Sequence, residues 1–431
     1  MNPLDPRSAG WQVTAQPAPE TVPLEGEVQC DVAIVGAGFT GLRAAIVLAE
    51  AGSKVAVFDA GGVAHGASGR NGGQVNPMLP CAYPDDLRRA VGEVFFERMA
   101  RVSLGSADEL FDLVRKHEID CDARQHGWLR VDHCTKARET ARAAAREWNK
   151  FDAGFEFLDG ADAKTLSGST AYDSATLNPS GGAVQPLKLA RGLARVALEA
   201  GVSIHTQSPV TNLNRADQRW TMQANGHPVR ADRVILATNG YTDNLFPGLR
   251  RSVLPLTPTQ IATDPLPEDE IGEILPKGHT ISDTRRLIMY ARREPDDRMF
   301  FGGTGYRTPL GNLGGFRWVL NDARRIFPSI PAHRWKYRWG GRIALTNDRV
   351  PHFHEPAPGL TAGMGYNGRG VAISLVMGRV MAERALGADP ASLPFPDTPV
   401  SPQAFRDTQV AGAGIAMTWM RMQDNRELGR G

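Results

Sequence analysis

The chain has little net charge and no long apolar run. Its 49 Lys and Arg residues nearly balance its 47 Asp and Glu residues, which leaves a formal charge of +2 over 431 residues. Binding nucleic acid by neutralising phosphates needs a basic excess, so this balance argues against nucleic acid as a partner. No apolar stretch approaches the roughly 18 residues of a membrane-spanning helix, and we therefore predict no membrane span.

Cysteine is also scarce, and its spacing suits neither a metal nor a redox site. Cys30, Cys81, Cys121 and Cys134 form no CxxC or CxxH motif, so we predict no metal and no disulfide framework. The first 25 residues lack the apolar centre of a signal peptide. A cytoplasmic location with free thiols is expected from these two observations.

Glycine is abundant, and the first glycine cluster follows an apolar strand. Asp31 to Val35 reads DVAIV and runs into GAGFTG at 36–41, a GxGxxG motif; a helical stretch and a second strand ending at Asp59 follow. In such a βαβ unit the glycines permit a tight turn, close approach of a pyrophosphate and close helix packing. The helix N-terminus offers free N–H groups to phosphates. The register of all these parts predicts a dinucleotide-binding unit.

Two more glycine-rich segments predict close backbone approaches to the same ligand. Residues 66–74 read GASGRNGGQ, and residues 360–371 form a strand and a glycine-rich turn before a helix over 372–386. Between them, helical periodicity is expected over 85–119 and again over 136–150. A NAD dehydrogenase would continue with further βα units, which this region does not resemble.

Together these segments resemble the D-amino-acid-oxidase superfamily of FAD-dependent amine and amino-acid oxidoreductases. GASGRNGGQ and GYNGRG at 365–370 are the most specific motifs, and they are similar to the branch containing γ-glutamylputrescine oxidoreductase and bacterial L-pipecolate oxidase. The resemblance covers roughly residues 26 to 400 of this chain.

The resemblance implies an α/β fold with two interleaved domains. A Rossmann-like FAD-binding domain is expected, together with a substrate domain built on a mostly antiparallel sheet. The predicted ranges are a 1–26 N-terminal extension, 27–80, 160–250 and 335–400 for FAD, 81–159 and 251–334 for substrate, and a 401–431 C-terminal helical tail.

The resemblance also implies which residues contact FAD. The first βα turn would hold the pyrophosphate through Gly36, Ala37, Gly38, Phe39, Thr40 and Gly41. The adenosine would be held by Asp59, Ala60, Val210 and Thr238. The ribityl chain and ring would contact Gly66, Ala67, Ser68, Gly69, Arg70, Asn71, Gly72, Gly73 and Gln74. The pyrimidine end would be closed by Gly341, Asn367, Gly368, Arg369 and Gly370.

The segment 341–346, in which some relatives attach FAD through a cysteine, contains none here, so non-covalent FAD is predicted. His65 is a further side chain that could bond the flavin. The candidate catalytic residues are Arg70, Asn71, Tyr290 and Arg369. The alternatives are a buried core position for Tyr290 and a flavin or structural contact for Arg369.

The expected substrate is a small amine or amino acid, with oxygen or another electron acceptor as the second partner. Two lysines of sarcosine-oxidase-like relatives are missing: Ala372 stands where one binds a carboxylate, and 299–302 lacks one that promotes the reaction with oxygen. The identity of the amine therefore stays open between γ-glutamylputrescine and a cyclic amino acid such as L-pipecolate. The alternatives are a D-amino-acid dehydrogenase-like enzyme and a non-catalytic FAD-binding protein.

Overall fold

A computed structural model describes residues 2–216, 218–308 and 310–429 of the chain. Met1, Asp217, Pro309, Arg430 and Gly431 lie outside the described residues, and with them the extreme ends of the predicted N-terminal extension and C-terminal tail.

The described strands are, in chain order, β1 (Val28–Val35), β2 (Val55–Phe58), β3 (Gln74–Val75), β4 (Trp128–Val131), β5 (Glu156–Asp159), β6 (Ser174–Asn178), β7 (Gly182–Ala183), β8 (Ser203–His205), β9 (Val210–Ala216), β10 (Arg219–Ala224), β11 (His227–Leu236), β12 (Leu254–Leu256), β13 (Thr259–Thr263), β14 (Thr280–Asp283), β15 (Met289–Arg293), β16 (Met299–Gly303), β17 (Tyr306–Arg307), β18 (Leu313–Gly314), β19 (Trp335–Gly340), β20 (Ile343–Leu345), β21 (His352–Ala357) and β22 (Leu360–Met364). The described α-helices are α1 (Phe39–Glu50), α2 (Pro84–Leu104), α3 (Ser106–Lys116), α4 (Thr135–Asn149), α5 (Gly160–Ser167), α6 (Pro186–Glu199), α7 (Glu268–Ile271), α8 (Phe316–Ile326), α9 (Gly370–Ala385) and α10 (Arg406–Glu427).

The first large sheet has the strand order β21-β22-β11-β1-β2-β8, with β10 and β9 added beside β11. β1 pairs in parallel with β2 and β11, as a strand between two crossovers does. Its apolar run is explained by burial on both faces: Val32 and Ile34 pack in one core with α1 and α9, while Ala33 and Val35 pack in another with Trp220.

The second large sheet has the order β19-β13-β16-β15-β14-β4-β6-β5 and is antiparallel except for the pair β14–β4. Ile261, Ala291 and Phe301 point from it into an apolar core that includes residues of α8. Because side chains alternate along a strand, Gln260 and Tyr290 point to the other face, toward the cavity described below.

Strand pairing differs from the predicted ranges at two points. β6 lies within 160–250 and β19 within 335–400, both assigned to the FAD-binding domain, yet both pair in the second sheet. The chain thus crosses between the two sheets more often than the predicted domain ranges imply. The expected helical region 85–119 is two helices that meet at Gly105, and Gly92 (φ +76°) interrupts the first of them.

The N-terminal segment is folded against the second sheet. Trp11 stacks on Phe300 with ring centroids 4.9 Å apart and meets Trp339 edge-on at 5.9 Å. Its Nε1 donates to the Asn71 carbonyl oxygen at 2.8 Å. The segment therefore supports the 66–74 loop from behind.

The C-terminal helix α10 lies against β12, β17 and the loop that follows β14, and Met417 and Met420 contribute to the cavity wall. The helix is fixed at its end by Asp424, which accepts hydrogen bonds from Arg286 and from the Leu287 N–H. Within the described ranges, none of the helices is both long enough and apolar enough to cross a membrane.

Candidate functional site

A cavity of about 1090 Å³ runs between the two sheets. One end is formed by the carboxyl ends of β1, β2 and β11, where open α/β sheets bind ligands, and the other by the inner face of the second sheet. Most residues predicted to contact FAD line it. Ala37, Gly41, Gly69 and Gly73 lie behind the wall instead.

Three positions in the turn between β1 and α1 are glycine because other atoms lie too close for a Cβ. Gly36 has φ +114°, and a Cβ there would lie 2.9 Å from the Ala237 carbonyl oxygen. At Gly41 a Cβ would lie 2.0 Å from the Gly36 carbonyl oxygen, so that glycine serves helix packing. At Gly38 a Cβ would meet Ser68 Oγ at 2.8 Å. The turn therefore offers backbone atoms to the cavity, and its three glycine positions have no room for a side chain.

Asp59 stands at the end of β2 and holds that turn as well as facing the cavity. Its carboxylate accepts hydrogen bonds from the N–H groups of Ala37 and Gly61, each at 2.8 Å. Burial raises the pKa of Asp59, while these two N–H groups oppose the rise. His65 is exposed, lies against Gly61 near this carboxylate and lines the cavity. Its contact with the flavin stays a prediction.

Arg70 is buried and its guanidinium is bound to the protein itself. It donates to the carbonyl oxygens of Gly66 (3.1 Å), Leu4 (2.8 Å) and His65 (2.9 Å), and also to the Tyr241 hydroxyl. These contacts use the donors that a substrate carboxylate would need. They favour a role in shaping the loop over the substrate contact predicted from the sequence.

Asn71 also binds within its own loop. Its Nδ2 donates to the carbonyl oxygens of Ala67 and Ser68 at 3.2 and 2.9 Å, and its Oδ1 accepts from the Gly73 N–H at 2.7 Å. Gln74 ties the loop to the second sheet, because its Nε2 donates to two carbonyl oxygens of that sheet at 3.0 Å. The polar residues of GASGRNGGQ thus fix its path.

Residues 366–370 of the second glycine turn also line the cavity. Asn367 (φ +51°) accepts the Thr346 N–H at 2.9 Å through Oδ1. The Tyr366 hydroxyl is hydrogen bonded to that of Thr40 at 2.8 Å, which joins this turn to the start of α1. Ser374, in the first turns of α9, lines the cavity with a buried Oγ that has no hydrogen-bond partner among the described residues.

Tyr290 lies at the other end of the cavity, on β15. Its ring stacks on Phe300 at 6.1 Å between centroids, and Gly72 and Gly302 leave room for it, since a Cβ at either would meet the ring at 3.0 Å or less. Burial raises the pKa of Tyr290, opposed by a hydrogen bond from Gln260. The phenol is therefore neutral at ordinary pH and forms part of the cavity wall.

Arg369, just before α9, reaches the second sheet. Its guanidinium carbon is 5.0 Å from the Trp128 ring centroid, and its Nη1 donates to the Leu79 carbonyl oxygen at 3.0 Å. Burial, reinforced by the positive charge of Arg130, lowers the pKa of Arg369 to about 9. Arg130 lines the same part of the cavity.

Cys81 also lines the cavity, although no cysteine lies in the 341–346 segment. Burial raises the pKa of its thiol to about 11. At neutral pH this cysteine is a thiol and a poor nucleophile.

Comparison with known proteins defines the class. Residues 31–384 match the family described as FAD dependent oxidoreductase (DAO). The chain is 32% identical over 376 residues to gamma-glutamylputrescine oxidoreductase of Escherichia coli K12, covering 84% of this chain and 85% of that one. It is 29% identical over 389 residues to the probable oxidoreductase OrdL of Rhizobium meliloti, covering 90% of each.

Solved structures share the fold. Glycine oxidase from Geobacillus kaustophilus superposes with a TM-score of 0.71 at 20% identity, covering 86% of this chain and 98% of that one. L-amino acid deaminase from Proteus vulgaris gives 0.69 at 19% identity, covering 88% and 99%.

The chain belongs to the DAO family of FAD-dependent oxidoreductases. The residues present fit that cofactor. The glycine turn at 36–41 leaves no room for side chains where a pyrophosphate would approach, and the first turns of α1 and α9 both face the cavity. The unpartnered Ser374 Oγ is a further polar group turned toward a ligand.

The sequence analysis did not predict the roles of two residues at the site, Arg130 and Trp11. Arg130 belongs to no motif, and only the alternation of Trp128 and Arg130 along a strand could have suggested a shared face. Trp11 lies in the segment predicted to be an N-terminal extension. A tryptophan among polar and proline residues is the sequence signal that this segment packs against the rest of the protein.

Proposed function

We propose that this chain oxidises the C–N bond of an amine substrate, with γ-glutamylputrescine or a closely similar amine favoured over a cyclic amino acid. FAD, when bound, would supply the two-electron oxidising chemistry. The substrate loses hydride from the carbon next to the nitrogen and a proton from the nitrogen, so the carbon–nitrogen single bond becomes an imine. Water then converts the imine of a primary amine to an aldehyde and ammonia.

The observation that supports this proposal is the continuity of one cavity between a backbone-built end and an end lined by side chains. At the first end, the turns at 36–41 and 365–370 would hold the cofactor without covalent attachment. At the second end, Tyr290 and Gln260 line the space left for a substrate. The apolar wall from Met417 and Met420 limits access of water, which favours a neutral amine.

The chain's own residues have three tasks in this reaction. Arg70 and Asn71 hold the loop that passes the cofactor, as their bonds to loop carbonyls indicate. Tyr290 orients the substrate by packing and through its neutral hydroxyl. The N-terminus of α9, which lines the cavity, would stabilise negative charge that develops on a ligand bound beside it.

A substrate panel under anaerobic conditions tests the proposal. Purified holoenzyme is mixed with γ-glutamylputrescine, putrescine, L-pipecolate, L-proline, sarcosine, glycine or D-alanine, and bleaching of the visible flavin band is followed. Fast bleaching by γ-glutamylputrescine and slow bleaching by putrescine is the expected result. Bleaching by none of these compounds would contradict the proposal and favour a non-catalytic FAD-binding protein.

A dehydrogenase that passes electrons to an acceptor other than oxygen is the second candidate. It is favoured by the cavity wall, which contains no lysine among the described residues. Position 372 is alanine and β16 contains no lysine, whereas sarcosine-oxidase-like relatives have a lysine in each region. Oxygen uptake with the best substrate, compared with reduction of an artificial dye, separates the two.

We also propose the cytoplasm as the compartment, consistent with four free cysteines.

A further inference from the structure

The face of the second sheet that lines the cavity bears an arginine that the reaction above does not use. Arg130 lies two residues after Trp128 on β4, so both side chains project to the same face. The Arg369 guanidinium approaches the same indole from the opposite wall, 5.0 Å from its ring centroid. Two cationic side chains therefore meet beside Trp128.

These two cations have little compensation within the protein. Among the described residues, neither guanidinium forms a salt bridge, and Arg130 has no side-chain hydrogen bond. Arg369 uses one donor, toward the Leu79 carbonyl oxygen. Both residues line the cavity.

The acidic residues nearest to Arg130 are engaged elsewhere. Asp132 accepts a hydrogen bond from Ser174 at 2.8 Å. Asp283 is bound by Arg285 and accepts the Met289 N–H at 3.0 Å. Both carboxylates exert only a long-range attraction on Arg130, which opposes the lowering of its pKa by burial.

Both arginines are half-buried, and two positive charges held side by side in a cavity wall without a counter-charge are suited to an anionic ligand. Guanidinium groups present paired N–H donors that match the two oxygens of a carboxylate.

We propose that Arg130 and Arg369 form a carboxylate-binding site at the substrate end of the cavity, and that Arg130 determines specificity for amines that carry a carboxylate remote from the reacting nitrogen. The inference rests on the proposed function, because the carboxylate belongs to the amine that is oxidised.

Gln260 extends the site on the same face of the sheet. Its Oε1 is buried and has no hydrogen-bond partner among the described residues, although it lines the cavity. An amide or ammonium N–H on the ligand would satisfy it. Gln260 on β13 and Arg130 on β4 lie four strands apart in the sheet, which is about 19 Å at about 4.8 Å per strand. The site therefore suits an elongated ligand with a carboxylate at one end and an N–H donor at the other, as γ-glutamylputrescine has.

The first arm of the test measures binding without turnover. Oxidised holoenzyme is titrated with glutarate and with its uncharged diamide, and the change in the visible flavin spectrum gives each dissociation constant. We expect wild-type protein to bind glutarate at least tenfold more tightly than the diamide. Arg130→Gln should abolish that preference, and Arg130→Lys should restore part of it.

The second arm measures turnover. For γ-glutamylputrescine against the derivative whose carboxylate is an amide, wild-type kcat/KM should favour the carboxylate by about tenfold or more, and Arg130→Gln should reduce the ratio to near one. The matched control is Arg349→Gln, since Arg349 is an exposed arginine at the cavity rim. That variant should keep the preference. Flavin content and circular dichroism verify that each variant is folded.

The two arms separate the possible failures. An Arg130-dependent preference for glutarate in a protein that no amine reduces would support the carboxylate site and overturn the proposed function. A preference unchanged in Arg130→Gln, with normal turnover of amines, would overturn the carboxylate site and leave the proposed function standing. Loss of flavin from a folded Arg130→Gln protein would also overturn the inference, because it would assign Arg130 to the cofactor.

Discussion

The two ends of the cavity differ in the groups that line them: backbone atoms at one end and side chains at the other. At the cofactor end, the groups that face the cavity are largely backbone atoms, and an added Cβ at Gly36 or Gly38 would lie within 2.9 Å of another atom. At the substrate end the wall consists of side chains such as Tyr290, Arg130 and Arg369. The first end should therefore be damaged by atoms that are added, and the second by atoms that are removed.

The largest effect is expected from Gly38→Val. A side chain there meets Ser68 Oγ and fills the space where a pyrophosphate would approach α1, so the purified variant should contain no flavin even after incubation with FAD. The ratio of flavin to protein absorbance measures this. Gly26→Val is the control, because no atom lies within 4 Å of a Cβ at Gly26. Full flavin occupancy in Gly38→Val would refute the assignment of this turn to the phosphates.

Asp59→Ala should weaken FAD binding by about 1–3 kcal/mol, the range for hydrogen bonds to a charged group. The loss combines the ribose contact with the two N–H groups that the carboxylate holds in place. The dissociation constant of FAD for reconstituted protein should rise roughly 5- to 150-fold.

Asp31→Ala is the matched control for this change, because Asp31 also accepts a backbone N–H, that of Lys54 at 2.7 Å, but does not line the cavity. Equal weakening in both variants would mean that Asp59 acts through general stability and does not contact the cofactor.

Tyr290→Phe removes one hydroxyl from the substrate end and leaves the ring in place over Gly302. We expect unchanged flavin content and a limiting rate of flavin reduction lowered about fivefold, the equivalent of about 1 kcal/mol for one hydrogen bond. Anaerobic stopped-flow mixing measures the rate. Tyr306→Phe, away from the cavity, should behave as wild type; a reduced flavin content in Tyr290→Phe would instead connect Tyr290 to the cofactor end.

The smallest effect concerns the helix α10 that covers the substrate end. Hydrogen bonds from Arg286, and then from His133, lower the pKa of Glu427 to about 2, from an ordinary value of 4.5. The contact therefore stabilises the fold fully above about pH 4.5 and is lost as the pH falls through about 2.

Arg286→Gln should accordingly lower Tm slightly at pH 6, since these groups are partly exposed, and the Tm difference from wild type should shrink between pH 4.5 and the lowest accessible pH. Thermal unfolding followed by circular dichroism checks this. A Tm difference that grows on acidification would show that the Glu427 contact does not fix the helix.

The cofactor end was predictable from sequence because its parts are local. A strand, a glycine turn, a helix and Asp59 lie within some thirty residues, and each has a backbone requirement that only certain residue types meet. The close approach at Gly41, 2.0 Å from the Gly36 carbonyl oxygen for an added Cβ, illustrates how strict that requirement is.

The substrate end was less predictable because its parts are distant along the chain. Arg130, Tyr290 and Arg369 come from three segments that only the pairing of β4, β14 and β15 brings to one face. Arg70 and Asn71 were predicted as catalytic from a polar glycine-rich motif, yet their donors are directed to loop carbonyls. A motif identifies such a loop without indicating which of its side chains are free.

We propose that the carbon next to the nitrogen of an amine loses hydride within this cavity. Single-turnover reduction of the holoenzyme under anaerobic conditions, with saturating γ-glutamylputrescine carrying either hydrogen or deuterium on the terminal aminomethyl carbon, is the decisive experiment. We expect complete bleaching of the flavin, several-fold slower with deuterium. Bleaching at equal rates for the two isotopologues, or no bleaching, would contradict it.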